Sequence, residues 1–372
     1  MIVRTRSRAI LFPLVAAAAI LLLVDCVGST GDASNPTVTP SQPAPVIPPP
    51  TTPTTPTPDS ATASPPIEVD PQIARAVETL LDGQRGVYGV VVMQPDGAIT
   101  YQLNPDTPFV AASLYKLVLL ANIYEKREHG ELSFAQELEL LPEYFPAPDD
   151  FADSFYDRSV VGNTASIDEL VYATGSYSSN VAAKALLSQT DTTSLDETTI
   201  ELGLADTYLF IDPSTLPAWS TATATGRDAA LLEAMTFVDA EAQEGPVNIT
   251  TPRDMSHFFQ LLLAGEVVNP EVSAELLALL KQQMIDDRFP YLLPGGTEMA
   301  HKTGNLDHVV HDVGIIWAPD GPVILAAMIE DPPDDDRATQ IIQRLALIAY
   351  GTDKVPPFTK HASSDSSPST DQ

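Results

Sequence analysis

The stretch Ala111-Ala112-Ser113-Leu114-Tyr115-Lys116 decides the fold, because the rest of the chain can be interpreted around its serine. Apolar side chains recur at helical spacing after Ser113, and neither glycine nor proline interrupts them before Gly130. The pattern predicts a buried helix with Ser113 in its first turn. Lys116 lies three positions later, so the hydroxyl and the ammonium group share one face at the positive helix N-terminus. This pair is a candidate nucleophile and base, although Ser-x-x-Lys alone is common.

The composition sets the size of the core and excludes some partners. The chain has 372 residues, of which 44% are apolar, enough for one large domain or two moderate ones. With 50 acidic and 19 basic residues, its formal charge of −31 argues against binding nucleic acid or anionic lipid. The acidic run from Glu330 to Asp336 is interpreted as a polar loop before a helix. No metal or cofactor is predicted, and a monomer is expected.

The N-terminal segment has the pattern of an export signal. Three arginines among the first eight residues precede 16 apolar residues, Ala9 to Val24, a run short for a membrane-spanning helix. The only cysteine, Cys26, follows directly and excludes an internal disulfide. Leu23-Val24-Asp25-Cys26 resembles a bacterial lipoprotein cleavage site, but Asp25 stands where a small residue is expected. Lipidation of Cys26 and uncleaved anchoring therefore both stay open.

Composition shifts divide the chain into four segments. Residues 1–26 are predicted to be a signal peptide or lipoprotein signal or anchor. Residues 27–66 form a linker rich in Pro, Thr and Ser, a composition that cannot bury a core. Residues 67–354 are predicted to fold, and residues 355–372 to be a disordered tail. Such a chain would be exported and either tethered on the extracytoplasmic side of the membrane or secreted.

The folded part is predicted to contain a helix, a hairpin, a long helical insert, three strands and a final helix. The predicted strands and final helix are Gly89–Met93, Ala98–Leu103, Met299–Lys302, Val313–Trp317, Pro322–Ile329 and Ala338–Tyr350. Between Ser113 and about Met284 only helical patterns and loops are found. The order predicts an α+β fold: a five-stranded, mostly antiparallel sheet flanked by the terminal helices, with an all-α lobe inserted between strands 2 and 3. Ser113 would lie at the floor of the cleft between sheet and lobe.

Two further motifs share this context. Ser178-Ser179-Asn180 opens an apolar helix about 65 residues after Ser113, and Lys302-Thr303-Gly304 ends a predicted strand about 124 residues later. Together the three motifs resemble those of the serine β-lactamase and penicillin-binding-protein superfamily, and within it the class A β-lactamases. The resemblance covers nearly all of Ile67 to Thr352. It implies a β-lactamase/transpeptidase-like fold and the opening of β-lactam rings through an acyl-enzyme.

The resemblance also implies residue roles. Ser113 would be the acylated nucleophile, Lys116 would hold or accept its proton, and Ser178 would relay that proton to the departing nitrogen. Backbone N–H groups of Ser113 and Asn305 would form the oxyanion hole. The substrate-binding residues implied are Asn180, Lys302, Thr303, Gly304 and Asn305.

The sequence departs from the class A pattern in three places. Ser179 stands in place of the aspartate of S-D-N. No glutamate lies between Glu201 and Glu233, where class A enzymes carry the deacylating glutamate, and Asp212 before Pro213 is the nearest substitute. Asp212 is either a general base or a turn residue. The segment after Lys-Thr-Gly lacks a carboxylate-binding arginine and has His311-Asp312 instead, where His311 is either a ligand-binding residue or part of a structural hydrogen-bonded pair.

These departures leave three hypotheses about function. The first is a class A-type β-lactamase, with slow deacylation as one form of it. The second is a peptidoglycan D,D-peptidase or esterase, for which the reactive serine suffices. The third is a catalytically silent cell-envelope binding domain. The expected partner is a small β-lactam or a peptidoglycan-like substrate, with membrane contact only through the N-terminal segment.

Overall fold

A computed structural model describes residues 69–147, 152–212, 226–238, 246–352 and 354–359 of the chain. The predicted signal or anchor at 1–26, the linker at 27–66 and most of the predicted tail lie outside these residues. Among the residues described, no helix combines the length and the apolar character needed to cross a membrane.

Ten strands are formed by the described residues, and five of them make the main sheet. They are β1 Val87–Met93, β2 Ile99–Leu103, β3 Phe109–Val110, β4 Glu137–Glu139, β5 Thr164–Ser166, β6 Tyr208–Ile211, β7 Val247–Thr250, β8 Met299–Leu306, β9 Val309–Ala318 and β10 Gly321–Glu330. The main sheet has the order β2-β1-β10-β9-β8, and every neighbouring pair is antiparallel. The predicted five-stranded sheet is therefore confirmed, and β8 lies at its edge.

Helices cover both faces of this sheet. In the described residues they are α1 Pro71–Leu81, α2 Tyr115–Glu128, α3 Ile167–Ser176, α4 Asn180–Leu187, α5 Thr192–Glu201, α6 Arg227–Phe237, α7 Pro252–Ala264, α8 Pro270–Leu280, α9 Phe289–Leu292 and α10 Asp335–Ala349. Val90 and Val92 of β1 pack in the cluster that contains α1 and α10, whereas Val91 and Met93 pack in the cluster of α2 and α7. Burial on both faces explains why β1 is a continuous apolar run without alternation.

The inserted lobe is not purely helical, which corrects the prediction that no strand lies between Ser113 and about Met284. β4 pairs with β5, and β7 lies between β3 and β6 in a small sheet. These strands are only two to four residues long, too short to show a periodic apolar pattern. The small sheet matters for the site, because β3 leads into Ser113 and β6 leads into Asp212.

The acidic run before the last helix forms a helix start. Helix α10 begins at Asp335, three residues before the predicted start, because the side chain of Asp334 caps it and accepts a hydrogen bond from the Asp336 backbone N–H at 3.1 Å. Carboxylates in the first turn are stabilised by the helix dipole. This arrangement agrees with the interpretation of the run as a polar segment preceding a helix.

The folded chain extends beyond the predicted domain end at residue 354. Arg344 of α10 donates hydrogen bonds to the carbonyl oxygens of Pro356, at 2.9 Å, and Pro357, at 2.5 Å. The ring of Phe358 stacks under the guanidinium of Arg337, 3.8 Å away. Residues 355–359 were predicted to belong to a disordered tail, but these contacts hold them against α10.

Candidate active site

Ser113 lies on a short 3-10 turn, Ala112–Leu114, that runs directly into α2. The chain arrives from β3 and turns sharply at Ala112, whose φ of +46° is unusual for a residue with a side chain. Ser113 is half-buried, while Leu114 and most of the first turns of α2 are buried. The predicted position at a buried helix start is confirmed, with the serine on the 3-10 turn preceding the α-helix.

Lys116 is fully buried in the first turn of α2, and its ammonium group contacts the Ser-x-Asn segment. Its Nζ donates to Asn180 Oδ1 at 2.7 Å and to the Ser178 carbonyl oxygen at 2.6 Å. Burial lowers the pKa of Lys116 to about 7, although the charge of Asp153 opposes this shift. A substantial fraction of Lys116 is therefore neutral near pH 7, as a general base requires.

The Ser178 side chain lies between two lysines. Its Oγ is 2.8 Å from Lys302 Nζ and 3.3 Å from Lys116 Nζ. The backbone at Ser178 has a φ of +58°, a costly conformation for serine that often marks a functional site. Since both ammonium groups donate to Oγ, the hydroxyl proton remains available for a third group.

Lys302 supplies a second buried positive charge, on the edge strand β8. Burial lowers its pKa most, and the charges of Lys116 and Arg288 lower it further, against the opposing effect of Asp312. Its neighbour Thr303 is also buried. Where they are protonated, Lys116 and Lys302 make a positive pocket wall with Arg288 nearby, which suits an anionic substrate group.

Gly304 brings β8 close to the nucleophile turn. A β-carbon at this position would lie 3.2 Å from the Ala111 carbonyl oxygen and 3.3 Å from Ala112 Cβ. A side chain here would push against the residues that precede Ser113, so glycine lets the Lys-Thr-Gly strand pass beside them without a shift. Thus Lys116, Ser178, Asn180 and Lys302 form one contact network, with Ser113 and Gly304 next to it along the chain.

Arg288 is a candidate site residue that belongs to none of the three sequence motifs. It is 5% exposed, immediately precedes α9, and donates from Nη2 to Asn305 Oδ1 at 2.6 Å. The class A resemblance places a carboxylate-binding arginine after Lys-Thr-Gly, whereas Arg288 lies 14 residues before Lys302. The signal that could have indicated Arg288 is the scarcity of basic residues in this chain, 19 against 50 acidic ones.

His311 is fully buried, and backbone groups occupy both of its ring nitrogens. Nε2 lies 3.0 Å from the Val110 carbonyl oxygen, and Nδ1 accepts from the Ile329 N–H at 3.1 Å. Burial lowers the pKa of His311 to about 4. These contacts favour the structural alternative over ligand binding. The partner of Asp312 is a different histidine, since Asp312 Oδ1 lies 2.9 Å from His301 Nδ1.

Asp212 follows β6, at the same end of the small sheet where β3 leads into Ser113. Asn248 of β7 connects the two regions, because its carbonyl oxygen accepts from the Ala111 N–H and its Oδ1 accepts from the Phe210 N–H, both at 2.7 Å. The ring of Phe210 also meets that of Tyr115, with 5.2 Å between centroids. Residues 213–225, which follow Asp212, lie outside the described residues, so the role of Asp212 stays a prediction.

An α+β domain in which a helix-borne Ser-x-x-Lys faces a Ser-x-Asn loop and a Lys-Thr-Gly edge strand has the architecture of the serine β-lactamases and transpeptidases. The model of the β-lactamase enzyme family matches residues 72–352, so the chain belongs to this family. The resemblance found in the sequence is thereby confirmed.

The similarity to individual relatives is distant. The extended-spectrum β-lactamase PER-1 of Pseudomonas aeruginosa is 23% identical over 294 residues, which cover 75% of this chain and 87% of that protein. The β-lactamase regulatory protein BlaB of Streptomyces cacaoi is 24% identical over 250 residues, which cover 62% and 79%. The crystal structure of a β-lactamase from Sphaerobacter thermophilus superposes with a TM-score of 0.60 at 26% identity, covering 75% and 96%.

Proposed function

We propose that this protein opens β-lactam rings through an acyl-enzyme on Ser113 and releases the product slowly. The observation that carries the proposal is the Ser178 hydroxyl between two buried lysines, 2.8 Å from Lys302 Nζ and 3.3 Å from Lys116 Nζ. An exported location agrees with the N-terminal export pattern, and we propose that the domain acts outside the cytoplasmic membrane, tethered or secreted.

Acylation follows from the lowered pKa of Lys116. The neutral amine takes the proton of Ser113 as the serine Oγ attacks the lactam carbonyl carbon. Backbone N–H groups of Ser113 and Asn305 would hold the resulting oxyanion, each worth about 3 kcal/mol in comparable sites. The C–N bond then breaks, and its nitrogen receives a proton from the Ser178 hydroxyl. Lys116, now an ammonium group, returns a proton to Ser178.

Substrate binding uses the positive pocket wall. Lys302 and Thr303 would hold the substrate carboxylate. Arg288, which donates to the Asn305 side chain, would add positive charge. Asn180 would hydrogen-bond the acylamide group of the substrate while its Oδ1 keeps Lys116 in place. Converging cations of this kind bind carboxylates through charge-assisted hydrogen bonds.

The test is a time course on the full chain with a fluorescent penicillin and a chromogenic cephalosporin. Labelling within minutes and repeated turnover of the cephalosporin at a low rate would support the proposal. Absence of any covalent adduct would contradict it and leave the silent binding domain.

A second candidate is an acyl-transfer protein without turnover, such as a D,D-peptidase. The observation that favours it is the absence of a glutamate between Glu201 and Glu233. One relative, BlaB of Streptomyces cacaoi, is named as a β-lactamase regulatory protein rather than as a β-lactamase. In the same time course, this candidate gives a stoichiometric burst and an adduct that persists.

Replacing Asp212 by asparagine tests the water-activating group. We expect release of the penicilloyl adduct to slow about 100-fold, because an amide cannot take the proton of the attacking water. The rate of capture should not change, since Lys116 is the base for that step. Pulse-labelling followed by chase measures both rates, with Glu201→Gln as an exposed control. Unchanged release would show that another group activates the water.

Replacing Arg288 by methionine tests the contribution of its charge to binding. We expect KM for a cephalosporin to rise about tenfold with little change in kcat, because the lost interaction is with the substrate carboxylate in ground and transition states alike. Arg75→Met, on the exposed side of α1, is the matched control. A fall in kcat at constant KM would contradict the assignment.

A further inference from the structure

Asp153, in the segment between β4 and β5, carries a carboxylate that accepts five hydrogen bonds. Its Oδ1 accepts from Ser179 Oγ at 2.7 Å and from the N–H groups of Phe155, at 3.1 Å, and Tyr156, at 3.0 Å. Its Oδ2 accepts from the N–H groups of Asn180, at 2.7 Å, and Val181, at 3.0 Å. Three of the five donors belong to the start of α4.

Asp153 is connected to Lys116 through Asn180, and it also contacts the N-cap of α4. Ser179 is the N-cap of α4, and its Oγ also accepts from the Ala182 N–H at 3.0 Å. Asn180, whose N–H is held by Asp153, accepts from Lys116 Nζ through its side chain. A shift of the α4 start would therefore move Asn180 Oδ1 and Ser178 together relative to Lys116.

The exchange at position 179 explains why a carboxylate is needed from elsewhere. Class A enzymes carry an aspartate at this position, and here the shorter Ser179 leaves room and offers a hydroxyl donor. Asp153 fills that place from 26 residues earlier in the chain, with Oδ1 against the serine hydroxyl. The negative charge near the Ser-x-Asn motif is thus retained, but its source has moved to another segment.

We propose that Asp153 is a positioning residue of this active site, which fixes Ser178 and Asn180 against Lys116 and supplies the compensating negative charge of the pocket. The inference rests on the proposed acyl-enzyme chemistry of Ser113.

The charges around Lys116 give Asp153 an electrostatic effect besides its hydrogen bonds. Lys302 and Lys116 both contact the Ser178 hydroxyl. The ring centroid of Tyr115 lies 5.9 Å from Lys116 Nζ. Asp153 raises the pKa of Lys116 against the larger effect of burial. Burial would raise the pKa of Asp153 itself, but hydrogen bonds from Tyr156, Val181 and Ser179 outweigh it and lower that pKa. Asp153 therefore remains ionised wherever Lys116 titrates.

Replacing Asp153 by asparagine removes the charge and part of the accepting capacity. An amide has one carbonyl oxygen, so in either orientation at least two of the five donors face its NH₂ group. We expect the acylation rate to fall about tenfold or more, since small displacements of reacting groups are costly. The acid limb of acylation, set by Lys116, should also move to lower pH, because loss of the negative charge lowers the pKa of Lys116 further. A merely structural role would not shift this limb.

The decisive measurement is rescue by a relocated carboxylate. The full chain is labelled with fluorescent penicillin from pH 5 to 9, and the second-order acylation rate is compared among wild type, Asp153→Asn, Ser179→Asp and the double variant. Ser179→Asp alone places two carboxylates in contact and should acylate slowly. In the double variant the new aspartate replaces the lost charge, so we expect a rate at least severalfold above that of Asp153→Asn. Asp157→Asn, in the same segment but exposed, is the control.

The outcomes separate the two proposals. No labelling of the wild type would overturn the acyl-enzyme proposal and the role of Asp153 with it. Wild-type labelling with an unchanged rate and acid limb in Asp153→Asn, or additive losses in the double variant, would overturn only the role of Asp153. Should Asp153→Asn fail to fold by circular dichroism, Ser179→Ala removes one donor to Asp153 together with the acceptor of the Ala182 N–H. This variant should acylate about threefold to tenfold more slowly, and a wild-type rate would overturn the inference.

Discussion

We expect Ser113→Ala to abolish covalent labelling by penicillin, lowering the acylation rate by at least about 10⁴-fold. Alanine has no oxygen to form the ester, and the site offers no equivalent nucleophile. The Ser178 hydroxyl accepts from two lysines, which suits a proton relay, and the only cysteine lies at position 26. The measurement is gel fluorescence and intact mass of the full chain after incubation with fluorescent penicillin.

The substitution should leave the fold intact, because Ser113 is half-buried on a short turn and carries no structural role comparable to its buried neighbours. Ser159→Ala, at an exposed serine of the inserted lobe, is the matched control and should label like the wild type. An adduct of normal mass in Ser113→Ala would place the nucleophile elsewhere. Peptide mapping would then identify it, with Ser178 as the first residue to examine.

Much of the fold was predictable because its signals are local. The strands β1, β9 and β10 are long apolar runs bounded by turn residues, and three neighbouring pairs, β1–β2, β8–β9 and β9–β10, are joined by short connections. Helix α7 begins at Pro252 with Thr251 as its N-cap, so the Thr-Pro pair marks this helix start in the sequence itself. The strands β3 to β7 were missed because two to four residues carry no period.

The site residues also divide into those with a local sequence signal and those without one. Lys116, Ser178, Asn180 and Lys302 belong to short motifs whose order along the chain could be recognised, and they form one contact network. Asp153 and Arg288 act on partners 26 and 17 residues away and belong to no motif, so their roles follow only from the folded contacts. The absence of the usual aspartate and arginine is visible in the sequence, but Asp153 and Arg288 could be connected with these positions only through contacts in the fold.

Replacing Lys116 by methionine should lower the acylation rate about 10³-fold, the size expected for a lost general base. Methionine is of similar length and apolar, so it fills the same buried space without the amine. The variant leaves Asn180 Oδ1 and the Ser178 carbonyl oxygen without their donor, and thermal unfolding must show that it still folds. Lys184→Met, an exposed lysine of α4, is the control and should retain the wild-type rate.

The pH dependence makes this prediction specific to Lys116. In the wild type the neutral amine is the active form, so acylation should fall as pH drops below about 7, the pKa of Lys116. The methionine variant has no such group, and its low residual rate should be flat across this range. Burial also raises the pKa of two described carboxyl groups toward this range, Glu330 to about 7 and Asp254 to about 6. Glu330 is the one next to the nucleophile turn, since its carboxylate accepts from the Val110 N–H ahead of Ser113. If the limb persists in Lys116→Met, another group causes it and Lys116 is not the base; a further Glu330→Gln substitution shows whether that group is Glu330.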